Sequence, residues 1–189
     1  KTFDQEKQFT SDVSHELRTP LAVIISQSDY AMEDEEYREK ALGKINKEAR
    51  RMSTLVNRLL TLSRSDSGRL VLEKDQVDLS EVCEMVAEQQ AIVAEDKNIS
   101  IETDIAEDIT ITGDEAMIMR ILLNLMDNAV KYGREDGKVT LSLAEENGYA
   151  VCSVEDDGIG ISEEDLERIW ERFYRVEASR SEEGAGLGL

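Results

Sequence analysis

The chain has 189 residues, 40% of them hydrophobic, which is enough to bury one medium core or two small ones. Its 42 acidic residues against 22 basic ones give a formal net charge of -20, a surface that repels phosphate backbones and argues against nucleic acid as a partner. The longest strongly apolar run, around Leu21 to Ile25, falls far short of the roughly eighteen residues that a membrane span needs, so the chain reads as soluble.

The opening "KTFDQEKQF" is charged, polar and already helical in character, with no signal-peptide pattern. From there Phe9, Val13, Leu17, Leu21 and Ile24 recur at steps of three and four, which predicts a long helix. "MEDEEYREK", Met32 to Lys40, is polar and acidic and reads as the tip of a helical hairpin. A second series, Leu42, Ile45, Ala49, Met52, Val56 and Leu59, alternates the same steps as a heptad seam on a second helix. Two helices with narrow seams cannot enclose a core alone, so dimerisation into a four-helix bundle is the expected completion. "SRSDSG" after Leu62 ends the helix, dividing the chain into a hairpin at 1–66 and a second domain at 67–189.

Beyond that boundary the pattern turns to mixed α and β. A helix is expected from about Leu79 to Asp96, an alternating strand at "ISIETDI", a short strand at "DITIT", and an apolar helix in "GDEAMIMRILLNLMDNAVKYG". "KVTLSLAEENGYAVCSVEDD" reads as a hairpin turning at Asn147-Gly148. The expected second domain is an antiparallel sheet covered by helices on one face. From Ile161 to Glu183 the chain is charged and sparsely apolar, and Leu166, Ile169, Trp170 and Phe173 suit one docking face of a short helix within a lid. The chain closes on "GAGLGL", which leads into no helix, so a C-terminal helix and further strands are expected to be missing. Cys83 and Cys152 sit in apolar patterns without a CxxC partner and read as reduced, buried thiols of a cytosolic protein.

"TSDVSHELRTPL" holds the single histidine and the single proline of the chain. With Phe9 at zero and 100° per residue, the apolar stripe spans about 40° to 120° while His15 falls near 240°, away from the seam. Thr19 follows one turn later on the same face, and Glu16 lies between that face and the seam. A carboxylate beside an imidazole holds one ring nitrogen as N–H and leaves the other free to attack. Pro20 removes the helical bond to the carbonyl of Glu16, weakening the turn that carries His15.

These residues resemble the H-box of the sensor histidine kinases of two-component systems. Four more motifs follow in that family's order. "NLMDNAVKYG" resembles the N-box through Asn124, Asn128, Lys131 and Tyr132, and "DDGIGI" resembles the first glycine box through Asp156, Gly158 and Gly160. "ERFYR" resembles the F-box through Phe173 and Tyr174, and "GAGLGL" the second glycine box through Gly184, Gly186 and Gly188.

The resemblance implies an α+β chain: a helical hairpin dimerising into a four-helix bundle, then an α/β two-layer sandwich that binds ATP and is truncated at its second glycine box. His15 is then the phosphoacceptor, Glu16 its general base and Asn128 the Mg²⁺ ligand. The phosphoryl group passes to an aspartate on a response regulator, and the "HELRT" pattern implies a phosphatase role for Thr19. The residue types agree. Asn124 and Asn128, at i and i+4, share a helix face; Lys131, nearly in phase with Asn124, supplies a point charge for polyphosphate. Asp156 accepts from the exocyclic amine of adenine and mismatches the oxygen of guanine. Arg175 and Arg180 are candidates for the terminal phosphates. A degenerate docking module would have lost His15, Asn128 or Asp156, and all three are present; a clamp ATPase on the same nucleotide fold has no use for the H-box. With no sensor or membrane segment ahead of it, the chain is expected in the cytoplasm, its parent free to carry an anchor.

Overall fold

The computed structural model describes residues 2–171 together with Tyr174 and Val176, and in the first turns of the chain it describes no side chain at 2–6, 8 or 9. It forms two compact units, Lys1–Leu70 and Val71–Leu189.

The first unit is a hairpin of two helices, α1 (Thr2–Glu33) and α2 (Arg38–Asp66). Its tip is built by side chains that take over unpaired backbone groups. Asp34 Oδ1 accepts from the amides of Glu36 at 2.9 Å and Tyr37 at 3.3 Å, and Arg38 Nε donates to the carbonyl of Ala31 at 3.2 Å. The Tyr37 hydroxyl donates to Gln27 Oε1 at 3.3 Å, tying the tip back onto α1. Helix α1 runs unbroken through Pro20, whose ring is fully buried.

Within one chain the seam is covered on one flank only. Within one chain α2 turns Ala41 and Leu55 inward, with Ile45, Met52 and Leu59 half-buried, while Leu42 and Val56 stay 54% and 41% exposed and Ala49 is exposed too. Ile45, Met52 and Leu59 belong to both sets. The apolar face of α2 is therefore wider than one neighbouring helix can cover, and a single chain buries one flank of it. On α1, Leu21 and Ile25 are likewise exposed at 46% and 55%.

The second unit contains β1 (Asp75–Asp78), α3 (Leu79–Ala94) with a 3-10 turn at Glu95–Lys97, β2 (Ser100–Ile105), β3 (Thr110–Gly113), α4 (Glu115–Tyr132), β4 (Lys138–Glu146), β5 (Tyr149–Asp156) and the one-turn α5 (Glu163–Leu166). Two aspartates start the long helices: Asp78 accepts from the Glu81 amide at 3.0 Å and Asp114 from the Met117 amide at 3.1 Å. The β4–β5 hairpin turns at Asn147 and Gly148, with φ of 53° and 82°, the pair of left-handed residues that a tight hairpin turn demands.

The larger sheet has the order β2-β4-β5, and β2 runs parallel to β4. The expected all-antiparallel sheet is thus replaced by a mixed one. The connection from β2 to β4 contains the whole of α4, long enough to carry the chain back to the same end of the sheet. A separate two-stranded sheet joins β1 to β3, pairing Val77 with Ile111. Val82, Cys83 and Val86 of α3, Leu122, Met126 and Val130 of α4, and Val139, Leu141 and Leu143 of β4 fill the core between helices and sheet.

Candidate functional site

On the first unit, α1 presents His15 and Thr19 on its exposed face and leaves Glu16 half-buried. Thr19 Oγ1 lies 3.5 Å from the His15 carbonyl and donates to it. The arrangement is the one that helical phase predicts: an imidazole open to solvent, a hydroxyl one turn on, and a carboxylate on the adjoining flank.

On the second unit, the expected residues lie along the C-terminal half of α4 and on the turn that follows β5. Asn124, Asn128, Lys131 and Tyr132 are all half-buried along α4. The Lys131 ammonium sits 4.9 Å above the ring of Tyr132, a cation held by an aromatic face. Beyond β5 the turn at Asp156 folds back on this helix. Asp156 Oδ1 accepts from the Gly158 amide at 2.9 Å, and the Ile159 amide donates to the Tyr132 carbonyl at 3.2 Å. A Cβ on Gly158 would lie 2.3 Å from that same carbonyl oxygen, so no residue with a side chain fits there without moving backbone. Gly160 completes the turn with φ of 68°, a conformation open to glycine at little cost. The neighbouring Asp157 serves the fold: its Oδ1 accepts from the Lys138 amide at 3.2 Å, fastening the turn to the start of β4.

Three residues of this unit make bonds that sequence reasoning misses. Gln90, 2% exposed on α3, donates from Nε2 to Asp127 Oδ1 at 2.7 Å and so grips α4 between Asn124 and Asn128. Lys97 Nζ donates to the carbonyls of Lys131 at 2.5 Å and Val130 at 3.3 Å. Asp165 accepts from the hydroxyls of Ser162 and Tyr174, and these bonds hold its carboxyl below the ordinary range while Asp165 raises the phenol of Tyr174. Arg168 stacks its guanidinium 4.2 Å over the Tyr174 ring. Each of these pairings spans a distance in sequence or a turn that periodicity does not report.

Among the described residues the expected lid helix is cut short, with Ile169 half-buried. Helix α5 is a single acidic turn capped by Ser162, too short to present residues at i and i+4, and Leu166 and Trp170 stand 47% and 70% exposed. Phe173, Arg175, Arg180, Gly184, Gly186 and Gly188 lie outside the described residues. Among the described residues no group of three His, Cys, Asp or Glu side chains could hold a metal ion, and no helix is long and apolar enough to cross a membrane.

Known proteins match both units. Residues 5–68 match the His Kinase A (phospho-acceptor) domain, and residues 113–189 match the histidine kinase-, DNA gyrase B- and HSP90-like ATPase. The sensor histidine kinase YkoH of Bacillus subtilis is 36% identical over 99% of this chain and 41% of its own length. Among solved structures, full-length ShkA in complex with AMPPNP is similar at a TM-score of 0.69 and 31% identity, over 96% of this chain and 38% of that one. Histidine kinase ThkA, solved in complex with response regulator protein TrrA, is similar at 0.71 and 26% identity, over 89% of this chain and 50% of that one. The chain spans less than half the length of the curated relatives it matches. With a phosphoacceptor helical hairpin and an α/β ATPase unit in the order that these proteins share, the chain belongs to the histidine kinases of two-component systems and comprises their catalytic core.

Proposed function

We propose that this chain transfers the γ-phosphoryl group of ATP to its own His15 and passes it on to an aspartate of a response regulator. The observation that carries the reading is the seating of Gly158 on the Tyr132 carbonyl, which brings Asp156 beside the N-box helix in a turn where Gly158 and Gly160 carry no side chain. In this reading Asp156 accepts from the adenine amine, Lys131, Arg175 and Arg180 serve the phosphates, and Asn124, Asn128, Tyr132, Phe173, Gly184, Gly186 and Gly188 complete the set of nucleotide-binding residues. Asn128 suits Mg²⁺, which binds through one or two protein oxygens plus substrate phosphates and keeps several waters. Bound there, the ion neutralises charge on the phosphates.

The free ring nitrogen of His15 attacks the γ-phosphorus, the bond to the bridging oxygen breaks, and ADP leaves. Glu16 takes the proton that the imidazole sheds. Because phosphoryl transfer depends on positioning and charge neutralisation, the exposed, solvent-facing placement of His15 supports this role. Thr19, on the same face, orients the water that hydrolyses the regulator's phosphoaspartate.

We further propose that a second copy of the chain covers Leu42, Ala49 and Val56 to complete a four-helix bundle, and that the first domain ends at 66 and the second starts at 67. The break at Asp66 and the left-handed Gly68, with φ of 65°, support a hinge across 63–68. ATP supply places the work in the cytoplasm.

Incubating the full-length protein with γ-labelled ATP and Mg²⁺ tests the central claim. Acid-labile, base-stable label is expected in the natural protein and none in His15→Gln. Label that persists in that variant overturns the proposal. In the same assay Thr19→Ala should keep the label on His15 and slow its loss from the regulator.

A further inference from the structure

Cys83 on α3 and Cys152 on β5, 69 positions apart in sequence, bring their sulfurs to 3.8 Å, and both are free thiols. What the sequence offered as two separate buried cysteines is a facing pair. They differ in access. Cys83 is 0% exposed, enclosed with Val82 and Val86 in the core, whereas Cys152 is half-buried on the strand whose Ala150 and Val154 border that core.

We propose that Cys83 and Cys152 form an oxidisable pair, a modification site at which a hydroperoxide converts two thiols into a disulfide that staples α3 to β5. A disulfide needs sulfurs about 2.05 Å apart, so the pair has less than about 2 Å to close, a movement within reach of side-chain rotation.

Cys152, the half-buried residue, reacts first. The Cys152 thiolate attacks one oxygen of the peroxide, the O–O bond breaks, and the departing oxygen takes a proton to leave as water or an alcohol. The product is a sulfenic acid on Cys152. The Cys83 sulfur then attacks the Cys152 sulfur; the S–O bond breaks and the hydroxyl leaves as water with the Cys83 proton. Two electrons pass from the sulfurs to the peroxide, and nothing else is consumed. The polarity of the pair fits this order: the bond from the Cys83 thiol lowers the Cys152 thiol, while that same bond and burial raise Cys83. Cys152, the less buried of the two residues, is the one placed to meet a small oxidant first.

The staple closes a loop containing β2, β3, α4 and β4, most of the ATPase unit described above. Long closed loops restrict the unfolded chain most, so oxidation is expected to raise the melting temperature of this unit.

The test treats reduced full-length protein, freed of dithiothreitol, with hydrogen peroxide, digests it without reduction and reads the peptides by mass spectrometry. A cross-linked peptide pair joining Cys83 to Cys152, restored to thiols by dithiothreitol and accompanied by a reversible rise in Tm, is the expected result. Cys83→Ser should strand Cys152 as a sulfenic acid that dimedone captures. The proposal is overturned if both thiols of the natural protein remain open to alkylation after peroxide, if Cys152 runs on to sulfinic acid without a cross-link, or if disulfides form only between chains. The reading in the natural protein stands whether or not the variant folds.

Discussion

The amide of Ile159 donates to the carbonyl of Tyr132 at 3.2 Å, so the turn that starts at Asp156 is anchored to the last residue of α4. The two parts of the candidate nucleotide site are thus joined by a backbone hydrogen bond, and a change at the anchor should be felt at both.

Gly158→Ala tests that anchor. The new Cβ would stand 2.3 Å from the Tyr132 oxygen and 2.9 Å from its carbonyl carbon, and backbone cannot yield as a flexible side chain does. A loss of about 1–3 kcal/mol of stability is expected together with weakened nucleotide binding. Gly148→Ala, strained by a φ of 82° but with nothing within 4 Å, should cost about 1 kcal/mol and leave binding unchanged. Chemical denaturation paired with ATP titration by calorimetry separates the two.

Neighbouring positions on α2 should respond in opposite ways. Leu55 is 6% exposed within its own chain, and Leu55→Ala should cost about 2–4 kcal/mol by leaving a cavity, with the dimer still detectable at high concentration. Val56 is 41% exposed there, so Val56→Glu should leave the chain folded and place a charge in the face a second copy would cover. Light scattering that still reports two chains for Val56→Glu would remove this face from the dimer.

The bond from Tyr174 to Asp165 predicts a bounded pH window. Asp165 is lowered, first by Ser162 and then by Tyr174, so its contribution is present above the ordinary carboxylate range and lost as pH falls through its depressed value. Tyr174 is raised by Asp165, so its contribution is present below the ordinary phenol value and lost as pH rises through the elevated one. The link should hold at every pH between. In Tyr174→Phe the Asp165 carboxyl should titrate closer to an ordinary aspartate, which an NMR titration of carboxyl carbons reads directly; an unmoved midpoint would show that Ser162 alone sets it.

Local pattern made much of this legible. The 3.6-residue period marks α1, α2 and α4, alternation marks the β4–β5 hairpin, and the Asn147-Gly148 pair names its turn. Strand β1 was hidden because "DQVD" offers one apolar residue and acquires its meaning from Ile111, far along the chain. The parallel pairing of β2 with β4 is likewise a property of the crossover and not of either strand. On α2 two overlapping heptads share Ile45, Met52 and Leu59, and periodicity alone does not say which flank faces the same chain. Helical phase alone puts His15 on the exposed face of α1, whereas Gln90 gives no signal, since a glutamine facing an aspartate across two helices looks like any polar residue until the helices meet.

Lys97 has an electrostatic consequence. A helix gathers partial negative charge at its C-terminal carbonyls, and α4 ends where the N-box would meet a polyanion. By donating to the carbonyls of Val130 and Lys131, Lys97 lays a full positive charge across that pole. In a chain with a formal net charge of -20, this ammonium and that of Lys131 in the last turn of α4 offset the negative pole of the helix.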